Sequence, residues 1–501
     1  MDEQVEPETT QSATPAVDPA VWRTVWAVLV GAMAVMFDTT IVAVALPTLV
    51  TDLHTSLATV QWVATGYLLA LGVTIPVAGW AQRALGTRRL WLAALAVFGV
   101  GSVLSSLAWS ASSLIAFRVV QGVGGGIMLP LMSTVVMQAA GGKNLGRVMS
   151  VVSLPAVLGP ILGPVIGGVI LTHLHWSWLF WVNVPFCVVG LVLAARWLPA
   201  DGALRRVPFD LVGFVLMAPG LVGVLYGLSR TSEAGGFGRA DVLWPAVGGL
   251  VLLGAFVAWA LRRRARALVD VVVLKHWPLA SSSLLLMLSG ISLYGAMLLL
   301  PQYFQHLRGM TPLAAGVLLI PQGVGTFFSR SIAGRLSDTM GSRSLAVAGF
   351  TIAALGTLPF ALAGTSTNEV WLMAVLLVRG FGLGAVTVPL MALAFRGLDR
   401  AEIPDASIVS RVASQLGGAF GTAVLAVLLA SGLHGTTMSG LAADPGAGVG
   451  AFHNAFWWAF GFTVVGAALS FLLPGKASVA PPEPAASPTP AHTPLEPAPA
   501  R

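Results

Sequence analysis

The chain has 501 residues, of which 56% are hydrophobic and only 9% are charged, whereas soluble proteins carry about 25% charged residues. So few charges exclude a soluble enzyme and a disordered scaffold, because a soluble chain of this length would form about two to four domains with polar surfaces; the composition instead predicts a polytopic membrane protein. The formal net charge of +7 does not indicate nucleic-acid binding, since the basic residues form no patch with interleaved aromatic side chains.

Fourteen segments are apolar over about 20 residues, the length that a membrane-spanning helix needs. They form an all-α arrangement of two six-helix halves, at 22–200 and 276–474, joined by two linker helices with cytoplasmic loops at 201–275. The polar residues 1–21 and the Pro- and Ala-rich residues 475–501 are predicted to be disordered cytoplasmic tails. The predicted spans are 24–46, 60–80, 90–109, 112–137, 147–171, 177–198, 210–229, 241–261, 279–301, 312–334, 344–364, 370–394, 406–430 and 452–473.

The distribution of basic residues predicts the orientation of these spans. With the N-terminus in the cytoplasm, 22 of the 27 Lys and Arg residues fall in cytoplasmic loops or at cytoplasmic span ends, three lie outside and two lie deep within spans. Cytoplasmic loops of membrane proteins are enriched in Lys and Arg, so both termini are predicted inside, in a bacterial plasma membrane. Cys187 is the single cysteine, and we expect neither a disulfide framework nor a metal site.

The loops after the second and tenth spans share a pattern 255 residues apart, in which Gly is followed seven positions later by Gly and then by Arg. Repeated halves are typical of secondary transporters. The two loops are therefore candidates for a cytoplasmic gate. Their residues are Gly79, Arg83, Gly86 and Arg88 in the first copy, and Gly334, Asp338, Gly341 and Arg343 in the second.

Charged residues deep within the predicted spans are few. Asp38 is the one deep acid, and Arg118 and Arg379 occupy matching positions in the two halves. A charge at the centre of a membrane costs at least about 2.5–3.5 kcal/mol on insertion scales. Because burial disfavours the charged form of a carboxyl group, Asp38 is a candidate for proton coupling or for sensing a cation. The alternative is a structural carboxylate that is paired with Arg or with hydroxyl groups. Each arginine could form a relay with a carboxylate or extend to the membrane surface.

The fifth span carries small residues at intervals of four positions, together with two prolines. Small residues allow helices to approach closely, and prolines bend a helix. The segment could act as a hinge or a proton-tight seam between moving halves, or it could be ordinary tight packing. Its residues are Gly159, Pro160, Gly163, Pro164, Gly167 and Gly168.

Over residues 22–473 the sequence resembles the major facilitator superfamily, and within it the fourteen-helix drug:proton antiporters of the EmrB/QacA type. Residues 37–47 match the family pattern of the first span, residues 159–168 match the antiporter pattern GxxxGPxxGG, and residues 118–126 match the arginine motif. The family's gating loop carries Asp at its centre; here Asp338 keeps it, but Arg83 replaces it in the first copy. The gating role of the first copy is therefore open.

The resemblance implies proton-driven export of hydrophobic, cationic drugs by a monomer, in which two halves rock about a central cavity and Asp38 and Arg118 couple transport to protons. The sequence has no GxxxxGK[ST] phosphate loop, so we expect the proton motive force, without a cofactor, to drive transport. Candidate contacts in the substrate cavity are Trp62, Tyr67, Gln121, Met128, Tyr294, Phe304 and Gln415.

Two other functions are alternatives to drug export. The first is an exporter of the same fold that is dedicated to one natural product or lipid. The second is a membrane-embedded enzyme or a non-transporting membrane protein, which would need a catalytic constellation such as HExxH or GxSxG. The sequence contains neither pattern, so we do not expect an enzyme.

Overall fold

The computed structural model describes residues 18–141, 145–152, 155–202, 207–234, 238–433 and 445–475. All regular secondary structure in these ranges is helical. Eleven of the helices described are long and apolar enough to cross a membrane, or twelve if one bent pair counts as a single span. The prediction of an all-α membrane protein is confirmed at this level, whereas the count of fourteen spans stays a prediction.

The predicted N-terminal half contains nine helices within the ranges described. The first begins at Pro19, inside the predicted N-terminal tail, because the Asp18 side chain caps it by accepting a 2.8 Å hydrogen bond from the Ala20 amide. Residues 1–17 of that tail lie outside the described residues. The helices are α1 (Pro19–Asp52), α2 (Leu57–Thr74), α3 (Val77–Leu85), α4 (Thr87–Ser106), α5 (Ala111–Ala140), α6 (Leu145–Val152), α7 (Pro155–His173), α8 (Trp178–Trp181) and α9 (Asn183–Trp197).

The predicted linker pair precedes the second half. The first linker helix (Leu211–Ala234) packs against the second (Ala240–Arg263). It also packs against α2 and against the helix Ile403–Gly432 of the second half, so it lies along the seam between the halves. The predicted C-terminal tail beyond residue 475 lies outside the described residues. The remaining helices are α10 (Leu211–Ala234), α11 (Ala240–Arg263), α12 (Trp277–Gln302), α13 (Pro312–Met340), α14 (Ser342–Thr357), α15 (Glu369–Ala394), α16 (Ile403–Gly432) and α17 (Pro445–Leu469).

Each of the fourteen predicted spans coincides with one helix or with two consecutive helices. The second span is divided into α2 and α3, which are bent by 56°. The break falls at Pro76, which has no amide hydrogen to continue the helical hydrogen bonds. The break places α3 and its gate residues at the end of the second span, at an angle to α2.

The repeated loop glycines have the same backbone conformation in both halves. Gly86 has φ 85° and precedes α4, and Gly341 has φ 87° and precedes α14. L-amino acids rarely adopt this region of φ, whereas glycine does so without a steric penalty. The sequence repeat therefore corresponds to a repeated turn at the same end of the two halves.

Candidate functional site

Asp38 lies on α1 and is completely buried. Its Oδ2 atom is 2.5 Å from Nη1 of Arg118 on α5, and its Oδ1 atom accepts hydrogen bonds of 3.0 Å from Gln121 of α5 and from Asn183 of α9. A buried carboxylate is tolerated only when its charge is paired and its oxygen atoms are hydrogen-bonded. Asp38 is therefore paired with an arginine, as a structural carboxylate would be, and both of its oxygen atoms have donors; its role in proton coupling stays a prediction.

Further contacts hold Arg118 in place. Its Nε atom donates to the Val63 carbonyl oxygen at 3.2 Å, and its Nη1 atom donates to Gln121 Oε1 at 2.8 Å. The guanidinium carbon lies 4.1 Å from the centroid of the Tyr67 ring, a cation–π arrangement. Tyr67 and Gln121, predicted as cavity contacts, thus belong to the buried cluster around Asp38.

Asn183 was missed by the sequence analysis. Its Nδ2 atom also contacts Ser102 of α4 at 3.0 Å, and the Ser102 hydroxyl donates to the Phe180 carbonyl oxygen at 2.9 Å. Both side chains are completely buried. The available signal was a carboxamide inside an otherwise apolar span, since polar groups at such positions are costly and tend to be functional.

The second half contains a related cluster without an acid. Arg379 on α15 is 1% exposed and donates to the Thr357 hydroxyl at 3.1 Å, to Gln322 Oε1 at 2.7 Å and to the Ser292 carbonyl oxygen at 2.8 Å. Ser292 belongs to α12, the first helix of this half, just as Asp38 belongs to α1. Among the described residues, no carboxylate pairs with Arg379, so an arginine–carboxylate pair is observed in the first half only, and its action as a relay stays a prediction.

The seven predicted cavity residues do not converge on one space. Met128 and Phe304 are completely buried in the apolar cores of the two halves, because packing favours burial of such side chains. The ring of Trp62 stacks on Tyr226 of α10 at 6.1 Å, and Tyr294 is 40% exposed. Gln415 lines a small space between α2, α10 and α16. Their shared role in a substrate cavity stays a prediction.

The small residues of the fifth span form a contact with α1. The Thr40 hydroxyl donates to the Gly159 carbonyl oxygen at 3.0 Å, and a Cβ atom at Gly163 would lie 2.1 Å from Thr40 Oγ1. At Gly167 a Cβ atom would lie 3.4 Å from the Ile41 carbonyl oxygen, and at Gly168 it would meet nothing within 4 Å. Tight packing is therefore observed, within one turn of Asp38, whereas a hinge or seam stays a prediction. The side chains of Pro160 and Pro164 lie outside the described residues.

The first gate loop forms an ion pair with the second half, and the loop supplies the cation of this pair. Nη1 of Arg83 on α3 lies 3.3 and 3.2 Å from the two carboxylate oxygen atoms of Asp405 on α16, and Nη2 donates to the Leu268 carbonyl oxygen at 3.4 Å. Gly79 allows this approach, because a Cβ atom there would lie 2.9 Å from Ile408. The loss of the acid at position 83 therefore does not remove an ionic contact between the halves. The sequence signal for Asp405 was an acidic residue just before a predicted span of the second half, while the first gate loop carries Arg83 in place of the family's acid.

The other gate residues have mainly local roles. The amides of Arg88 and Arg89 each donate to the Asp201 carboxylate at 2.9 Å, which caps the N-terminus of α4. The Arg88 side chain donates to the Ala195 carbonyl oxygen. In the second copy, the Arg343 guanidinium lies 5.6 Å from the Phe471 ring. Gly334 is buried in α13, and the side chain of Asp338 lies outside the described residues.

Additional contacts close this end of the seam. The Thr134 hydroxyl of α5 donates to the Ser407 hydroxyl of α16 at 2.8 Å, and Gln138 donates to the Arg400 carbonyl oxygen at 3.4 Å. In addition, α6 packs against α13 and α15. The two halves are thus joined at the end that carries the gate loops.

We expect Gly163→Ala to destabilise the protein by about 1–3 kcal/mol, because the added methyl group would overlap with Thr40. Gly168→Ala is the matched control, in the same motif and with open space around the new Cβ atom. Thermal unfolding of the purified protein in detergent measures the difference. Equal unfolding temperatures for the two variants would contradict the close contact between α7 and α1.

Reversing one charge of the ion pair between Arg83 and Asp405 should separate the two halves at this end. Either Arg83→Asp or Asp405→Arg places like charges side by side. The double variant should join the halves again. The measurement is labelling of Ser407→Cys, a buried position, by a charged maleimide in permeabilised membranes after Cys187→Ser removes the native thiol. We expect labelling about tenfold faster in either single variant. If the double variant were labelled as fast as the single variants, the pair would not hold the halves together.

Comparison with known proteins agrees with this architecture. Residues 28–422 match the family described as Major Facilitator Superfamily. A "Multidrug resistance protein B homolog" of Mycobacterium tuberculosis is 37% identical over 414 residues, which are 82% of this chain and 77% of that protein. A "Tetracenomycin C resistance and export protein" of Streptomyces glaucescens is 32% identical over 82% of this chain and 76% of that protein.

A solved structure supports the fold alone. The proton:xylose symporter XylE matches with a TM-score of 0.61 at 14% identity, over 92% of this chain and 97% of that chain.

The family match covers well over half of the sequence, and the helices described are those of a multi-pass membrane protein. The chain therefore belongs to the Major Facilitator Superfamily, a family of membrane transporters.

Proposed function

We propose that this protein is a proton-driven exporter of hydrophobic small molecules. The observation that carries the proposal is the Asp38 carboxylate, which is buried on α1 and bound to Arg118, Gln121 and Asn183. The names of the relatives support export, since they refer to multidrug resistance and to tetracenomycin C resistance and export. We include in the proposal fourteen spans, both termini in the cytoplasm, a bacterial plasma membrane and function as a monomer.

Protonation of Asp38 would change the forces between three helices. The ionised carboxylate binds donors from α5 and α9, and the protonated acid would lose its charge and part of its capacity to accept hydrogen bonds. Arg118 would then be a buried cation without an anionic partner, which is strongly unfavourable. Proton uptake by Asp38 would therefore favour a different packing of α1 against α5 and α9.

The rearrangement would reach the rest of the protein through contacts that α1 already makes. Thr40 lies on α1 between Asp38 and the glycines of α7, so a movement of α1 would shift the fifth span. Opening toward the cytoplasm would require the ion pair between Arg83 and Asp405 to separate. These steps correspond to rocking of two halves about a central substrate site.

A second candidate is export of a single natural product. The relative from Streptomyces glaucescens favours it, because its name assigns export of tetracenomycin C. The expectation of cationic substrates gains less support from the site. The Asp38 carboxylate that would attract a cation is already bound to three donors.

The proposal predicts that Asp38→Asn abolishes proton-driven accumulation while substrate exchange without a gradient persists. The amide keeps one acceptor oxygen for the donors around it, but it carries no charge and cannot cycle a proton at this position. We expect a loss of about 100-fold or more in pH-driven transport, measured in proteoliposomes with the dyes fluorescein and rhodamine 6G.

Asp52→Asn is the matched control, since Asp52 is an exposed acid at the end of the same helix, and it should transport normally. Asp38→Glu keeps the acid and should retain part of the coupling. Full pH-driven accumulation by Asp38→Asn would exclude Asp38 as the coupling group.

A further inference from the structure

The two halves carry different charges inside the membrane. In the first half, the buried charge of Asp38 is cancelled by Arg118 at 2.5 Å. In the second half, Arg379 has three acceptors, all of them neutral: a hydroxyl, a carboxamide and a backbone carbonyl. Neutral acceptors satisfy the donors of a guanidinium but leave its positive charge uncancelled.

Arg411 adds a second cation in the same half. It lies on α16, eight residues after Ile403, and hence about 12 Å from the start of that helix. Its side chain is partly buried, and no carboxylate lies within ion-pair distance of it among the residues that the structure describes. Arg411 is thus a second span arginine without an acidic partner.

The neighbours of Arg411 place it at the inner face of α16. One turn toward the gate, Ser407 contacts Thr134 of α5. One turn further along, the backbone at Ser414 packs closely against α12. A Cβ atom at Gly290 of α12 would lie only 2.5 Å from the Ser414 carbonyl oxygen. Arg411 therefore lies on the part of α16 that is shared between the first half and α12.

Tyr294 lies near the second of these cations. It is on α12 beside Gly418, which is two turns along α16 from Arg411; its side chain is 40% exposed, and Arg411 is close enough to interact with it electrostatically. Gln322, which binds Arg379, is also partly exposed. Two partly exposed polar side chains, Tyr294 and Gln322, thus adjoin the arginines of the second half.

These charges determine which substrates the interior would favour. In a medium of low dielectric constant, an uncancelled guanidinium attracts an anion and repels a cation over several ångströms. The buried carboxylates do not compensate for the second half, because Asp38 is paired with Arg118 and Asp405 with Arg83. Among the described residues, the interior of the second half beside α12, α15 and α16 is therefore positive.

We infer that the substrates carry an anionic group, such as a carboxylate, sulfonate or phenolate, on a hydrophobic body, and that this group binds beside Tyr294 under the charges of Arg379 and Arg411. The inference rests on the proposed export of small molecules, whose substrate class it specifies. The anion would supply the negative charge that the second half lacks.

Two xanthene dyes of opposite charge test the inference. Fluorescein is anionic and rhodamine 6G is cationic at neutral pH, and both have the same fused ring system. Binding to the purified full chain in detergent is measured by fluorescence anisotropy, separately from pH-driven transport. We expect fluorescein to bind more tightly, and Arg379→Gln or Arg411→Gln to raise its Kd by about tenfold or more without weakening rhodamine 6G binding.

Matched variants separate charge from folding. Arg379→Lys and Arg411→Lys keep the charge and should bind fluorescein within about threefold of the native chain. Arg239→Gln removes an exposed arginine and should change neither dye. If Arg379→Gln unfolds, as thermal unfolding would show, the partly exposed Arg411 still provides the test.

Preferred binding of rhodamine 6G, an equal loss of both dyes in the arginine variants, or no binding of fluorescein would overturn the inference. Arginine-dependent binding of fluorescein without pH-driven transport would support the anionic site and contradict the proposed proton-driven export. The two proposals therefore fail in different measurements.

Discussion

The charge of one buried carboxylate constrains the first half of the protein. Asp38 cannot lie within a membrane-spanning helix unless other helices supply donors, and Arg118, Gln121 and Asn183 do so from α5 and α9. Arg118 in turn binds the backbone of α2 and the ring of Tyr67. Because each group satisfies the next, one hydrogen-bonded network around a single carboxylate joins α1, α2, α4, α5 and α9. A glycine-rich contact next to this network packs α7 against α1.

The halves share a backbone pattern but differ in their electrostatics. Gly86 and Gly341 make the same turn, and Arg118 and Arg379 occupy equivalent buried positions. Within the part of the chain that the structure describes, only Arg118 has an acidic partner. A scaffold with a repeated backbone pattern thus holds a neutral cluster in one half and a cationic cluster in the other. Under the proposed function, the first half would respond to protons and the second would attract the substrate.

The sequence is sufficient to predict the parts of this architecture that depend on hydropathy and on isolated charges. Every predicted span coincides with a helix or with two consecutive ones, and Asp38 and Arg118 stand out because a charge inside a span is costly. The spatial partners are harder to predict. Asn183 and Asp405 lie 145 and 322 residues from the groups that they bind, and nothing local to either indicates its contact.

The predicted cavity residues illustrate the same limit. Aromatic and Met side chains have similar sequence patterns whether they line a binding space or fill a core, and Met128 and Phe304 are completely buried. Position on a helix becomes informative only once the neighbouring helix is known. Asp338, the acid that the family pattern emphasises, has a side chain outside the described residues, so its role stays a prediction.

The inverted gate pair restricts which halves can work together. A relative that keeps the usual acid in its first gate loop would, if its N-terminal half were joined to the C-terminal half of this chain, bring one carboxylate against another at Asp405. The reciprocal fusion would leave Arg83 without its anion. We therefore expect recombination between such proteins to give functional chimeras only when positions 83 and 405 come from the same parent. The two positions would then have to change together, although they lie 322 residues apart in the sequence.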